Sequence, residues 1–198
     1  MRDPAAVLAS ASSLTRKQLL LGTMVPSTIC GVLAIAVVLV RQRSVASLFA
    51  SAAPVWEQVL AGLLVGTAIG ATGAAIGLRS ELFAGARSLG MAALGSAQPG
   101  ALDLAAIAVA AGVGEELLFR GTLQPAWGLV ASSLLFTVVH FWVPIGGTVR
   151  AVYVTTVLAV SLVLGLLFQR AGLTAAIVAH ATTDLWVLLT ARRALMRA

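Results

Sequence analysis

Between Lys17 and Arg41 the chain runs through Leu19–Val40 without a single charged side chain. A helix needs about 20 mainly apolar residues to cross the hydrocarbon of a bilayer, and this stretch supplies them. Gln58–Leu78, bounded by Glu57 and Arg79, repeats the pattern. The first run is longer than a signal-peptide core and shows no obvious cleavage site, so it reads as a retained helix. Composition agrees: 60% of the 198 residues are hydrophobic, 10% are charged, and mean hydropathy is +1.01. Those values exceed what a soluble core requires and belong to polytopic membrane proteins.

The remaining punctuation divides the second half of the chain. A third helix is expected from Leu102 to Gln124, stopped by Pro125, and a fourth near Trp127–Val143, stopped by Pro144. The fifth falls near Ala151–Gln169 and the sixth near Leu173–Thr190. Ser80–Gln98 is mixed in character and broken by Pro99–Gly100, which suits a cytoplasmic or interfacial amphipathic helix plus a loop. The expected architecture is an all-α polytopic membrane protein of about six transmembrane helices. Helices three, four and six carry polar groups at depth. Residues 101–198 are therefore expected to form a four-helix catalytic core, and residues 1–100 two scaffold helices plus the amphipathic segment.

The net charge of +6 is not a nucleic-acid signal, because Arg41, Arg43, Arg79, Arg150, Arg170, Arg192 and Arg193 mark the ends of apolar runs. Such placement belongs to interfacial anchors and topology determinants. With the amino terminus inside, the inner face collects Arg2, Arg16, Lys17, Arg79, Arg87, Arg150, Arg192, Arg193 and Arg197, against Arg41, Arg43, Arg120 and Arg170 outside. The bias predicts a multi-pass cell-membrane protein with both termini in the cytoplasm. Cys30 is the only cysteine, which excludes an intrachain disulfide and a cysteine-based metal cluster. Gly62, Gly66 and Gly70 recur at four-residue intervals, continued by Gly73 and Gly77, and form a face for close backbone approach. That face serves either packing within the chain or a homodimer.

Charge inside the apolar helices is the functional signal. Aliphatic residues and glycine precede Glu115 and Glu116, and Leu117, Leu118 and Phe119 follow. One carboxylate at the bilayer centre costs roughly 2.5–3.5 kcal/mol on insertion scales, so an intramembrane pair marks a site. Residues four apart share a helical face, which makes Glu116 and Arg120 natural ion-pair partners and leaves Glu115 free for chemistry. Glu115 is then a carboxylate in a low-dielectric pocket, placed to accept a proton. His140 follows Phe136 by four residues, so the aromatic ring can pack beside the imidazole, and His180 precedes Asp184 by four. These are the only two histidines, and both fall within membrane helices. Antiparallel packing can gather their three helices around one cavity.

A glutamate and a histidine can orient and deprotonate a water while another donor stabilises the oxyanion at a peptide carbonyl. A metal held by Glu115, His140, His180 and Asp184 is the alternative, although the HExxH spacing of zinc proteases is absent. Ser132, Ser133 and Ser161 lack the glycine elbow that exposes a nucleophilic serine.

The run Glu115-Glu116-Leu-Leu-Phe-Arg120 resembles the EExxxR motif of the CAAX protease and bacteriocin-processing family (CPBP, or Abi). Phe136-x-x-x-His140 is similar to its FxxxH motif, and His180-x-x-x-Asp184 to its HxxxN or HxxxD motif, in the same order. The resemblance runs from about Leu102 to Thr190. It implies an intramembrane endopeptidase with a peptide or protein substrate in or at the membrane and no resident cofactor. Glu115 and His140 would activate the water, and His180 with Asp184 would line the oxyanion side. Glu116, Arg120 and Phe136 would support them. Asp184 departs from the asparagine of the best-understood relatives, since an ionised aspartate cannot donate to an oxyanion. It would instead orient His180 or serve as a metal ligand. Rival readings are a non-catalytic immunity or regulatory protein that binds a peptide in the same cavity, and a proton-coupled transporter, which the lack of an internal repeat disfavours. Alanine and arginine richness with one lysine suggests a GC-rich bacterium, which favours a bacterial peptide over a prenylated protein as substrate.

Overall fold

The computed structural model describes residues 4–140 and 147–197, and these are mostly helical, with no strand among them. The α-helices are α1 (Pro4–Ala11), α2 (Arg16–Val40), α3 (Val55–Arg79), α4 (Ala84–Ala97), α5 (Ala101–Glu116), α6 (Gln124–His140), α7 (Gly147–Ala171) and α8 (Leu173–Leu195). Within α2, α3, α7 and α8 lie four helices long and apolar enough to span a membrane. The chain is an all-α, multi-pass membrane protein. Leu21, Val25, Ile29, Val32 and Leu39 on α2 are exposed, as a lipid-facing surface requires.

Local chemistry sets the helix ends. Thr15 caps α2 reciprocally with Gln18: its hydroxyl accepts from Gln18 N–H at 3.2 Å, and its own N–H donates to Gln18 Oε1 at 2.9 Å. Gln98 takes the left-handed conformation (φ 46°) that ends α4, and Gly100 opens α5. The Arg87 side chain donates to the carbonyls of Gly77 at 3.0 Å and Ser80 at 3.2 Å, closing the carboxyl end of α3.

The structure differs from the expectation of two plain helices, the third and fourth, divided at Pro125. From α5 the chain widens into a π-helical segment, Leu117–Leu123, where Gln124 N–H reaches back to the Phe119 carbonyl. Thr122 Oγ1 donates to the Leu118 carbonyl in this segment. The chain stays helical from this segment through Pro125. The true break is Gly128, at φ 82° and ψ 169°, a conformation that side-chain-bearing residues rarely adopt. The expected end of the fourth helix at Val143 and Pro144 lies outside the described residues.

The glycines of α3 meet α8 of the same chain. A Cβ added at Gly62 would lie 2.7 Å from the Ala175 carbonyl, and one at Gly70 2.6 Å from the Trp186 Cβ. The Gly62-Gly66-Gly70 face is therefore filled by packing within the chain, the first of its two expected uses. Gly73 and Gly77 lie past this contact with open space before them. The α3–α8 pair is the most extensive packing in the bundle, and α5 lies against both α8 and α2.

Candidate active site

Glu115 and Glu116 occupy the last turn of α5, just before the π segment, and diverge as neighbouring helical residues must. Glu116 is fully buried. Its Oε1 accepts from Arg120 Nη1 at 3.0 Å and lies 2.8 Å from His180 Nδ1. Arg120, 1% exposed, also donates Nη2 to the carbonyl and hydroxyl of Ser161, each at 2.9 Å, and stands 4.6 Å above the Phe136 ring. Arg120 thus belongs to the interior and not to the outer interface where the charge pattern placed it. Five N–H donors in a planar fork explain how one side chain can join α5, α6 and α7.

Glu115 points the other way. Its Oε1 accepts from Ser27 Oγ at 3.3 Å, and its Oε2 lies 3.6 Å from His140 Nε2. Among the described residues Oε2 has no hydrogen-bond partner, although it is sealed from the exterior. His140 is held by its other nitrogen, which meets the Phe136 carbonyl at 2.7 Å. A carbonyl only accepts, so Nδ1 carries the hydrogen there, and Nε2 is turned toward Glu115. The Phe136 ring stacks on His140 at a centroid distance of 4.3 Å and stands edge-on to Phe119 at 4.9 Å and to His180 at 6.0 Å.

His180, from α8, is flanked by two carboxylates: Glu116 at Nδ1, and Asp184 at 3.5 Å from Nε2. Gly112 admits α8 to this distance, because a Cβ there would lie 2.9 Å from the Ile177 carbonyl. A cavity of about 680 Å³ collects Glu115, Phe136, His140, His180 and Asp184 at one end. Beyond them its walls come from α7 at Tyr153 and Val157, from α4 at Arg87 and Met91, and from α3 at Gly73 and Gly77. The cavity therefore draws on residues before position 101 as well as after it.

Among the described residues no group of three or more His, Cys, Asp or Glu side chains converges as a metal site would. Of the three serines weighed as nucleophiles, Ser161 supports Arg120, Ser132 bonds the Leu129 carbonyl at 3.1 Å, and Ser133 is buried with no partner for its hydroxyl among the described residues. Sequence reasoning missed the Glu116–His180 bond, which spans 64 positions, and the contribution of Ser27. It also passed over Tyr153, the chain's one tyrosine. The only signal for the last two was a polar side chain within an apolar span.

A bundle of lipid-facing helices enclosing carboxylates, imidazoles and an arginine defines a polytopic membrane protein with a buried polar site. Comparison with protein families matches residues 97–186 to the type II CAAX prenyl endopeptidase, Rce1-like, family. That segment, which contains all three motifs, is similar to this protease family. Comparisons with curated proteins and with solved structures find no match.

Proposed function

We propose that the protein is an intramembrane endopeptidase that hydrolyses a peptide bond with a water held between Glu115 and His140. The observation that carries this reading is the 3.6 Å gap between Glu115 Oε2 and His140 Nε2. Both atoms are acceptors when the carboxylate is ionised and the ring neutral, so they cannot bond each other. A water between them donates one hydrogen to each and satisfies the buried, partnerless Oε2. It is thereby aimed and polarised.

In the reaction the water oxygen attacks the scissile carbonyl and Glu115 takes its proton. The tetrahedral oxyanion then collapses, the C–N bond breaks, and the proton passes to the leaving amine. His180 supplies the oxyanion donor. With a carboxylate at each nitrogen it is satisfied only with both nitrogens protonated, so its Nε2–H can turn from Asp184 to the oxyanion. Asp184 holds that ring in place, and Glu116 with Arg120 fixes it from behind. No metal enters this scheme. Residues 101–198 act as the catalytic core, and both termini lie in the cytoplasm.

The test uses purified protein in liposomes and two internally quenched peptides ending in Cys-aliphatic-aliphatic-Xaa, one S-farnesylated and one unmodified. Cleavage of either that is abolished by Glu115→Gln, with the melting temperature unchanged, supports the reading. Equal cleavage by the variant overturns it. Binding of both peptides without cleavage turns the reading toward a peptide-binding regulatory protein. The ratio of the two rates reports whether the substrate is prenylated.

A further inference from the structure

Helix α2 precedes the family-matched segment, yet it touches the proposed base. Two contacts fix its register on α5. At their starts, Arg16 Nε and Nη2 grip both oxygens of Asp103 at 2.8 and 2.7 Å. Farther along, Gly114 lets the α2 backbone approach so closely that a Cβ there would collide with the Ser27 carbonyl, and Gly31 faces the Gly114 Cα one turn beyond. Small residues at such a crossing set the two helices at one depth and one rotation.

At that crossing Ser27 is 2% exposed, so neither lipid nor bulk water competes for its hydroxyl. Two acceptors lie within reach: the Thr23 carbonyl at 3.2 Å and Glu115 Oε1 at 3.3 Å. One hydroxyl has one proton, and an ionised carboxylate is the stronger acceptor. We propose that Ser27 is a positioning residue that holds Glu115 Oε1 so that Oε2 faces His140. The first spanning helix is then part of the active site and not only a scaffold. Without this bond the carboxylate is free to rotate, and its second oxygen no longer has a fixed bearing on the water. The inference rests on the assignment of Glu115 as the base.

The experiment compares the parent protein with Ser27→Ala, Ser27→Cys, Thr28→Ala and Glu115→Gln, on whichever quenched peptide the liposome assay cleaves. Losing a hydrogen bond to a charged group is expected to lower kcat by about tenfold to a hundredfold in Ser27→Ala, with KM and melting temperature unchanged. Ser27→Cys, nearly isosteric with a weak donor, should fall between, which keeps the test decisive if the alanine variant folds poorly. Thr28 sits on the exposed face of α2 and bonds the Met24 carbonyl at 2.8 Å, so Thr28→Ala should match the parent. Infrared difference spectra give a readout that needs no substrate: the carboxylate stretch lost in Glu115→Gln should shift in Ser27→Ala. Full kcat and an unshifted band in both Ser27 variants, with Glu115→Gln inactive, overturn the role of Ser27 alone. Full activity in Glu115→Gln removes the base assignment itself.

Discussion

At the scale of single residues, the two adjacent glutamates divide their work less cleanly than helical spacing suggests. Local periodicity shows that Glu116 faces Arg120, and the structure has that pair at 3.0 Å. It cannot show that the same oxygen also lies 2.8 Å from His180, because that contact joins two helices. Glu116→Gln should therefore cost both stability and activity: about 3–5 kcal/mol for uncompensating Arg120 in the interior, and kcat through a mis-set His180. Denaturation in detergent and peptide cleavage measure the two losses, and a variant with unchanged stability would contradict the burial argument. Asp184 behaves differently. Its carboxylate is 35% exposed and 3.5 Å from His180, so Asp184→Asn keeps an acceptor beside the ring and adds a donor on the oxyanion side. Activity should survive or rise. If Asp184 were a metal ligand, the same change would cost about 10-fold or more in metal affinity. Activity would then fall, and chelator treatment of the parent protein would abolish cleavage, whereas the water mechanism expects cleavage to persist after thorough chelation.

At the scale of elements, apolar runs and their flanking charges reveal the four long helices, since length and hydropathy are local properties. The expected residues of α2, α3, α7 and α8 all fall within the observed helices. What local pattern hides is the bend. Pro125 looks like a helix stop, but proline is disruptive only where its N–H and ring conflict with an established turn. Here the chain stays helical through Pro125, behind the wider π turn, and Gly128 makes the break. Likewise the glycine ladder of α3 declares a packing face without naming its partner. The structure divides that ladder in two, which yields a sharp contrast. Gly66→Ala should destabilise the protein, because a Cβ there meets the Ala179 backbone and Thr182. Gly73→Ala, with nothing within 4 Å of its Cβ, should leave the melting temperature unchanged. Thermal denaturation of both variants decides it, and equal loss in the two would mean that the α3–α8 contact does not end at Gly70.

At the scale of the whole molecule, the ends of the bundle report its orientation. Ser96 Oγ donates to the Leu14 carbonyl at 2.9 Å, and Gly95 lies beside Leu195. The start of α2, the end of α4 and the end of α8 therefore share one face. Arg16, Lys17, Arg79, Arg192 and Arg193 cluster toward that face, while Arg41, Arg43 and Arg170 flank the opposite ends of α2 and α7. Removing Arg120 from the outer count, as its burial requires, strengthens the bias. Positively charged flanks are retained on the cytoplasmic side, so the shared face should be cytoplasmic. The cavity reaches that side too, through Arg87 and Met91 of α4 and Thr190 and Ala191 of α8. A substrate would then enter from the cytoplasmic leaflet. Single cysteines at Ser12, Ser44 and Met196, all exposed, in a Cys30→Ala background test this with a membrane-impermeant thiol reagent on intact cells. Ser44→Cys should label from outside, and Ser12→Cys and Met196→Cys only after permeabilisation. Reversal of all three would place the cavity mouth outside. Labelling of Ser12→Cys and Met196→Cys from opposite sides would contradict the bundle itself, because one face cannot lie on both sides of a membrane.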